Sequence, residues 1–126
     1  MVQRPITLYG IPNCDTVKKS RAWLAQHGVA VEFFDFKKRG VPADHLQRWI
    51  AAAGWETVLN RRGSTWRTLD AAAQAAVVDA ASARALLLAH PSAIRRPVIE
   101  WGDAARAVTV GFVPGDWLAR LSTSRS

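Results

Sequence analysis

The residue that decides what chemistry this 126-residue chain can do is its one cysteine, Cys14. It lies in ITLYGIPNCDTVKKSRAWL, from Ile6 to Leu24, which reads as a strand, a tight turn and a helix whose first turn holds the thiol. The first N–H groups of a helix have no partner within it, and the helix dipole is positive at that end, so negative charge is stabilised there. A thiol so placed favours its thiolate, which is the form that acts as a nucleophile. Lys18 and Lys19, one turn on, add positive potential, and Asp15 opposes it. The competing reading is a small buried thiol that only packs; the strand–turn–helix setting favours reactivity. With no second cysteine, attack on a disulfide or an oxyanion leaves a mixed species that an external thiol must resolve. Glutathione is the cytoplasmic candidate for that co-substrate.

The elements that must position Cys14 follow from pattern. Ile6–Tyr9 supplies strand formers, and Gly10 and Pro12 stop the strand. Asn13 is a suitable N-cap for a helix that runs from Asp15 to Gln26, ahead of Gly28. Val29–Phe36 reads as a second strand, making a βαβ unit with parallel neighbours, and Lys37–Gly40 as a solvated loop. Ala43–Ala53 places Leu46, Trp49, Ile50 and Ala53 on one helical face, with Gly54 as its C-terminal stop. Trp55–Leu59 reads as a short turn of helix. Ser64 or Thr65 can cap another that carries Trp66 and Leu69. Asp70–Val78 and Asp79–Ala89 are alanine-rich helices opened by aspartate, with Leu86, Leu87 and Leu88 anchoring the second. Strand character returns at Pro97–Trp101 and Ala107–Val110, joined through Gly102 and Asp103 as an antiparallel hairpin. Asp116–Leu121 is a last helix with Trp117, Leu118 and Leu121 facing inward, and residues 122–126 a frayed tail. The order β-α-β, helical insert, β-β-α gives an α/β protein with the outline of a thioredoxin-like fold on a mixed four-stranded sheet. It is expected as one domain, with a core of about 4–41 and 91–121 and an insert of about 42–90.

Composition narrows the function classes. A net charge of +7, from 17 Lys and Arg against 10 Asp and Glu, favours anionic partners, which include small carboxylates and oxyanions as well as nucleic acid. The basic residues are spread along the chain and no nucleic-acid-binding signature is present, so nucleic acid is not the expected partner. One cysteine and three scattered histidines show no metal-ligand spacing, and His27, His45 and His90 lie far from Cys14 in sequence. No apolar run approaches the roughly 18 residues of a membrane helix, and the N-terminus carries no apolar signal segment. A cytoplasmic monomer with no membrane contact is the expectation.

Three stretches give the chain its resemblance to a known family. YGIPNCDTVKKSRAWL, LNRRGSTWRTL and SAIRRPV, in that order and spacing, resemble the arsenate reductase (ArsC)-like family, and most closely its YffB-type subgroup of glutathione-dependent thiol reductases. The resemblance implies a thioredoxin-like core with Cys14 as nucleophile, and Arg96 reaching the same anion site. It implies a cis-proline at Pro97, and an insert arginine at Arg62, with Arg61 its neighbour in register. Asn13, Arg61, Arg62, Arg96 and Pro97 are thereby expected around bound glutathione or substrate. A guanidinium fork suits a carboxylate or oxyanion and favours a nearby thiolate. The chain departs from the arsenate reductases of this family. Gly10 stands where they carry a histidine four residues before the cysteine, and VTVGFVP lacks their further arginine. Both departures speak against arsenate. Val17 replaces the second cysteine of the C-x-x-C switch found in many of the related Spx regulators. The leading expectation is a glutathione-dependent thiol reductase acting on a small disulfide or anionic substrate. Its competitors are an Spx-like adaptor that binds RNA polymerase, with Gly54 near the contact position, and an arsenate reductase proper.

Overall fold

The computed structural model describes residues 5–102 and 107–124. The chain folds into a four-stranded sheet of order β2-β1-β3-β4, built from β1 (Ile6–Gly10), β2 (Val31–Asp35), β3 (Val98–Glu100) and β4 (Val108–Val110). β2 runs parallel to β1, while β3 and β4 are antiparallel to their neighbours. The parallel pair is joined by α1 (Asp15–Gln26), the crossover that such a pair requires. This is the thioredoxin-like, mixed-sheet α/β architecture.

Alternation along the central strands sends successive side chains to two different cores. Leu8 and Ile99 point to one face, where Val17 and Leu24 of α1 and Trp117 of α8 (Pro114–Ser124) cover them. Tyr9 and Val98 point to the other, where α3 (Ala43–Ala53) brings Leu46, Trp49 and Ile50, and α7 (Ala80–Ala89) brings Ala83 and Leu87. Both faces of β1 are thus buried, as expected of a central strand. The inserted helices have no core of their own; they share one with the sheet.

Several boundaries differ from expectation for identifiable reasons. Lys37–Gly40 is not a loop throughout. Phe36–Arg39 forms one helical turn, α2, because the Asp35 carboxylate accepts the N–H groups of Lys37 and Lys38. The short α4 (Trp55–Val58) is as expected. Neither Ser64 nor Thr65 caps α5 (Ser64–Thr68); Gly63 holds that place. α6 spans only Ala71–Ala75, capped by Asp70 and with no buried residue to extend it. Asp79 caps α7 through a reciprocal pair with Ser82. In the last helix Trp117 is fully buried and Leu121 packs beside it, but Leu118 is 50% exposed, since it sits one position off their i, i+4 face. That helix also begins earlier, at Pro114, and continues to Ser124. Asp103, expected in the β3–β4 turn, lies outside the described residues. Among the described residues, no helix is long and apolar enough to cross a membrane.

Candidate active site

At the C-terminal end of β1 the chain turns at Ile11–Asn13 and enters α1 at Cys14. The helix packs tightly on the strand it leaves. A β-carbon added at Gly10 would stand 2.8 Å from a Val17 methyl, so a glycine is what lets α1 approach there. Cys14, not Asn13, occupies the N-cap position, with extended dihedrals and no side-chain cap bond. Its carbonyl accepts the Lys18 N–H at 2.9 Å, while the exposed Asn13 stands one place outside the helix. The half-buried thiol is therefore free of any disulfide and leaves the backbone at the end of the helix that attracts negative charge.

Cys14 opens on a cleft of about 380 Å³ whose lining is completed by Thr16, Asn60, Arg95, Arg96, Gly111 and Phe112. These come from four separate stretches, and local hydrogen bonds bring them together. Leu59 and Ile94 form an isolated antiparallel bridge. On either side of it the Asn60 N–H donates to the Ala93 carbonyl and the Arg95 N–H to the Val58 carbonyl, both at 2.8 Å. This short ladder sets Asn60 beside the arginine pair. Arg95 donates from Nε to the Thr57 carbonyl at 3.0 Å, and Arg96 from Nη1 to the Ser92 carbonyl at 2.7 Å. The Arg96–Pro97 peptide is cis, and the buried Pro97 accepts the Gly111 N–H at its carbonyl, which draws the chain beyond β4 against the site. Phe112 packs on Trp117, with ring centroids 5.1 Å apart. Both charged groups that line the cleft are guanidinium groups; no carboxylate lines it.

Of the residues expected from sequence, Cys14 and Arg96 meet in this cleft. Asn13, Arg61, Arg62 and Pro97 do not line it. Arg61 lies instead over the rings of Trp55 and Trp66, at 5.3 and 5.8 Å from their centroids, held there by cation–π attraction. Arg62 is exposed, and its N–H is bound to the Asn60 side chain at 3.1 Å. Asn60 and Arg95 were missed. Each adjoins a residue that was singled out, but the ladder that selects them joins residues about 35 apart and has no local signature.

A second polar cluster sits across the sheet from α1. The Glu100 carboxylate accepts the Tyr9 hydroxyl at 2.9 Å, His45 Nδ1 at 2.7 Å and Trp49 Nε1 at 2.9 Å. Burial pushes the Glu100 carboxyl up, but the donors His45, Trp49 and Tyr9 outweigh it and hold the group below its ordinary value. Burial, and then the hydrogen bond and charge of Glu100, push the Tyr9 phenol above its own. His45 is thereby tied to Glu100. Among the described residues, no group of three or more His, Cys, Asp and Glu could hold a metal ion.

Comparison with known proteins matches this arrangement to one family. A solved structure described as a YFFB protein is 50% identical, covers 90% of this chain and 96% of its own, and superposes with a TM-score of 0.83. An arsenate reductase (ArsC) related protein from Brucella melitensis is 44% identical over 96% of this chain and 98% of its own, with a TM-score of 0.72. The global transcriptional regulator Spx of Streptococcus agalactiae (serotype V) is 29% identical over 75% of this chain and 69% of its own. The ArsC family model matches residues 9–120. This chain belongs to the ArsC family.

Proposed function

We propose that this protein is a thiol-dependent reductase in which Cys14 forms a mixed disulfide, with glutathione as the thiol that completes the cycle. One observation carries the reading: a disulfide-free cysteine at a helix N-terminus opens on a cleft whose charged lining is two guanidinium groups and no carboxylate. The Cys14 thiolate attacks one sulfur of a substrate disulfide; the S–S bond breaks, a Cys14–S–S–R bond forms, and the other half leaves as a thiolate that takes up a proton. A glutathione thiolate then attacks the R sulfur, which releases Cys14 and leaves R joined to glutathione. A second glutathione frees R, and the two electrons end in oxidised glutathione. Arg96 holds a carboxylate of the glutathione or an anionic group of the substrate and adds positive charge beside the sulfur. Arg62 and Arg61, outside the lining, act on incoming anions at a distance. The reaction needs no metal and belongs to the cytoplasm, where glutathione is abundant and a monomer of this size suffices.

The test is mass spectrometry of the full chain after exposure to oxidised glutathione, followed by turnover of a small glutathionyl disulfide with glutathione as reductant. The expected result is one glutathione on Cys14, removed by excess reduced glutathione, and turnover lost in Cys14→Ser. Failure of both adduct and turnover would refute the reading and favour an Spx-like adaptor, to be sought by binding to RNA polymerase. Nothing at Gly54 itself favours that adaptor, because its positive φ of 87° ends α3 and accounts for the glycine. Packing against Val17 accounts for the glycine at position 10, where arsenate reductases of the family carry a histidine.

A further inference from the structure

The two guanidinium groups of the cleft are held in different ways. Arg95 spends Nε on Thr57 of α4, and its Nη1 and Nη2 have no partner among the described residues. Arg96 spends Nη1 on Ser92; its Nε is buried with no hydrogen-bond partner among the described residues. Each is therefore anchored through one N–H to a separate backbone carbonyl and keeps further donors unused. Gly111, at φ 92°, leaves the Arg95 stem uncovered: a β-carbon there would lie 3.6 Å from Arg95 Cδ. Both guanidinium groups line the cleft and no carboxylate does, so an anionic ligand that enters meets two positive charges. A planar fork pairs best with one carboxylate, and two forks on independent anchors present two such places.

Resting on the reductase reading above, we infer that Arg95 forms a second anion subsite beside that of Arg96, so that the cleft selects a thiol or disulfide half that carries two carboxylates. Arg95 is then the residue that separates a dicarboxylate such as glutathione from monocarboxylate and neutral thiols. Asn60, held by the ladder, adds an uncharged polar group to the same wall.

The test compares rates of a single exchange step on the full chain with four pyridyl mixed disulfides. They carry glutathione, its glycyl monoethyl ester, N-acetylcysteinylglycine and 2-mercaptoethanol. The Cys14 thiolate attacks the non-pyridyl sulfur, the S–S bond breaks, pyridine-2-thione leaves and is read by absorbance, and the Cys14 mixed disulfide remains. Each rate is divided by that of the same probe with free cysteine. The glutathionyl probe should lead the 2-mercaptoethanol probe by about tenfold or more, the worth of one charge-assisted bond. Arg95→Gln should erase the lead over one of the two monocarboxylate probes, and Arg96→Gln the lead over the other. Arg95→Lys, which keeps the charge without the planar fork or the Nε bond to Thr57, should show a preference between those of wild type and the glutamine variant; the full wild-type preference in Arg95→Lys would mean that no carboxylate fork is at work, and would overturn the inference. If Arg95→Gln slows all four probes by one common factor, the inference fails while the reductase reading stands. A wild-type chain with no preference over 2-mercaptoethanol overturns the inference alone; the reductase reading falls only if the Cys14 adduct and turnover fail as well.

Discussion

Replacing Glu100 tests how the inserted helices are held to the sheet. Its carboxylate joins three elements, because the donors Tyr9, His45 and Trp49 come from β1 and α3 while Glu100 itself belongs to β3. In Glu100→Gln one oxygen becomes an NH₂. With that group donating to the Tyr9 oxygen, this contact is kept in the reversed direction, and the remaining oxygen still accepts from Trp49 and His45. The bonds survive but lose their charge assistance, falling from roughly 1.5–3 kcal/mol to about 1 kcal/mol each, before partial solvent access is allowed for. The side chain of Glu100 is 23% exposed, so we expect a net loss of about 1–2 kcal/mol at pH about 7 for Glu100→Gln. Glu100→Ala, which strands the Tyr9 and Trp49 donors, should lose about 3 kcal/mol. The sign of the pH dependence follows from the lowered carboxyl. A depressed folded-state value contributes stability that is present above the ordinary glutamate value of about 4.3 and is lost as pH falls through the folded one. Urea unfolding of wild type and both variants at pH about 7 and about 3 measures this. The gap between wild type and Glu100→Gln should narrow at the lower pH. A Glu100→Ala variant within about 0.5 kcal/mol of wild type, or a gap indifferent to pH, would refute the reasoning.

Gly10→Ala should cost about 1–3 kcal/mol, since the new methyl meets a Val17 methyl at 2.8 Å. It should also change the rate at which iodoacetamide alkylates Cys14, because α1 must shift. Trp117→Ala should cost about 3–5 kcal/mol and Leu118→Ala less than about 1 kcal/mol, read by thermal or urea unfolding. Equal costs would show that the face of α8 is misassigned. Among the arginines, Arg96→Ala should slow glutathionylation of Cys14 more than Arg62→Ala does, because only the former lines the cleft. Arg61→Ala should raise the solvent quenching of tryptophan fluorescence by uncovering Trp55 and Trp66. An unchanged quenching constant would show that the stacking does not persist in solution.

The fold was readable where local pattern and burial agree. Ile6–Tyr9 and Asp15–Gln26 carry their own start and stop signals, and the apolar face Leu46, Trp49, Ile50 is spelled out in spacing. What escaped depends on partners distant in sequence or on choices between adjacent residues. Asp35 looked like the end of a strand, and only its two backbone bonds reveal it as the cap of a helical turn. Leu118 looked like core because it is a leucine between Trp117 and Leu121, but helix geometry turns it away. At the site, Cys14 and Arg96 were legible because a motif encloses each. Arg62, with Arg61 as its neighbour in register, was expected beside the ligand; two half-buried tryptophans hold Arg61, and the cleft is lined on that side by Asn60 and Arg95. The Glu100 cluster was invisible because its members come from residues 9, 45, 49 and 100.

The short ladder between residues 58–60 and 93–95 makes everything from 61 to 92 an excursion that departs from and returns to one stitch. The cleft wall is fixed at the stitch, while the three helices of the excursion, α5, α6 and α7, meet the rest of the protein through side chains such as Leu87. Chain can therefore be lengthened, shortened or recharged along much of that excursion without retuning the distance between the thiol and its arginines. Selection can act on the outer surface of such a protein, and so on what it meets in the cell, almost independently of the chemistry at Cys14. A single scaffold of this kind can diverge in its encounters while the charge around its cysteine stays as it is.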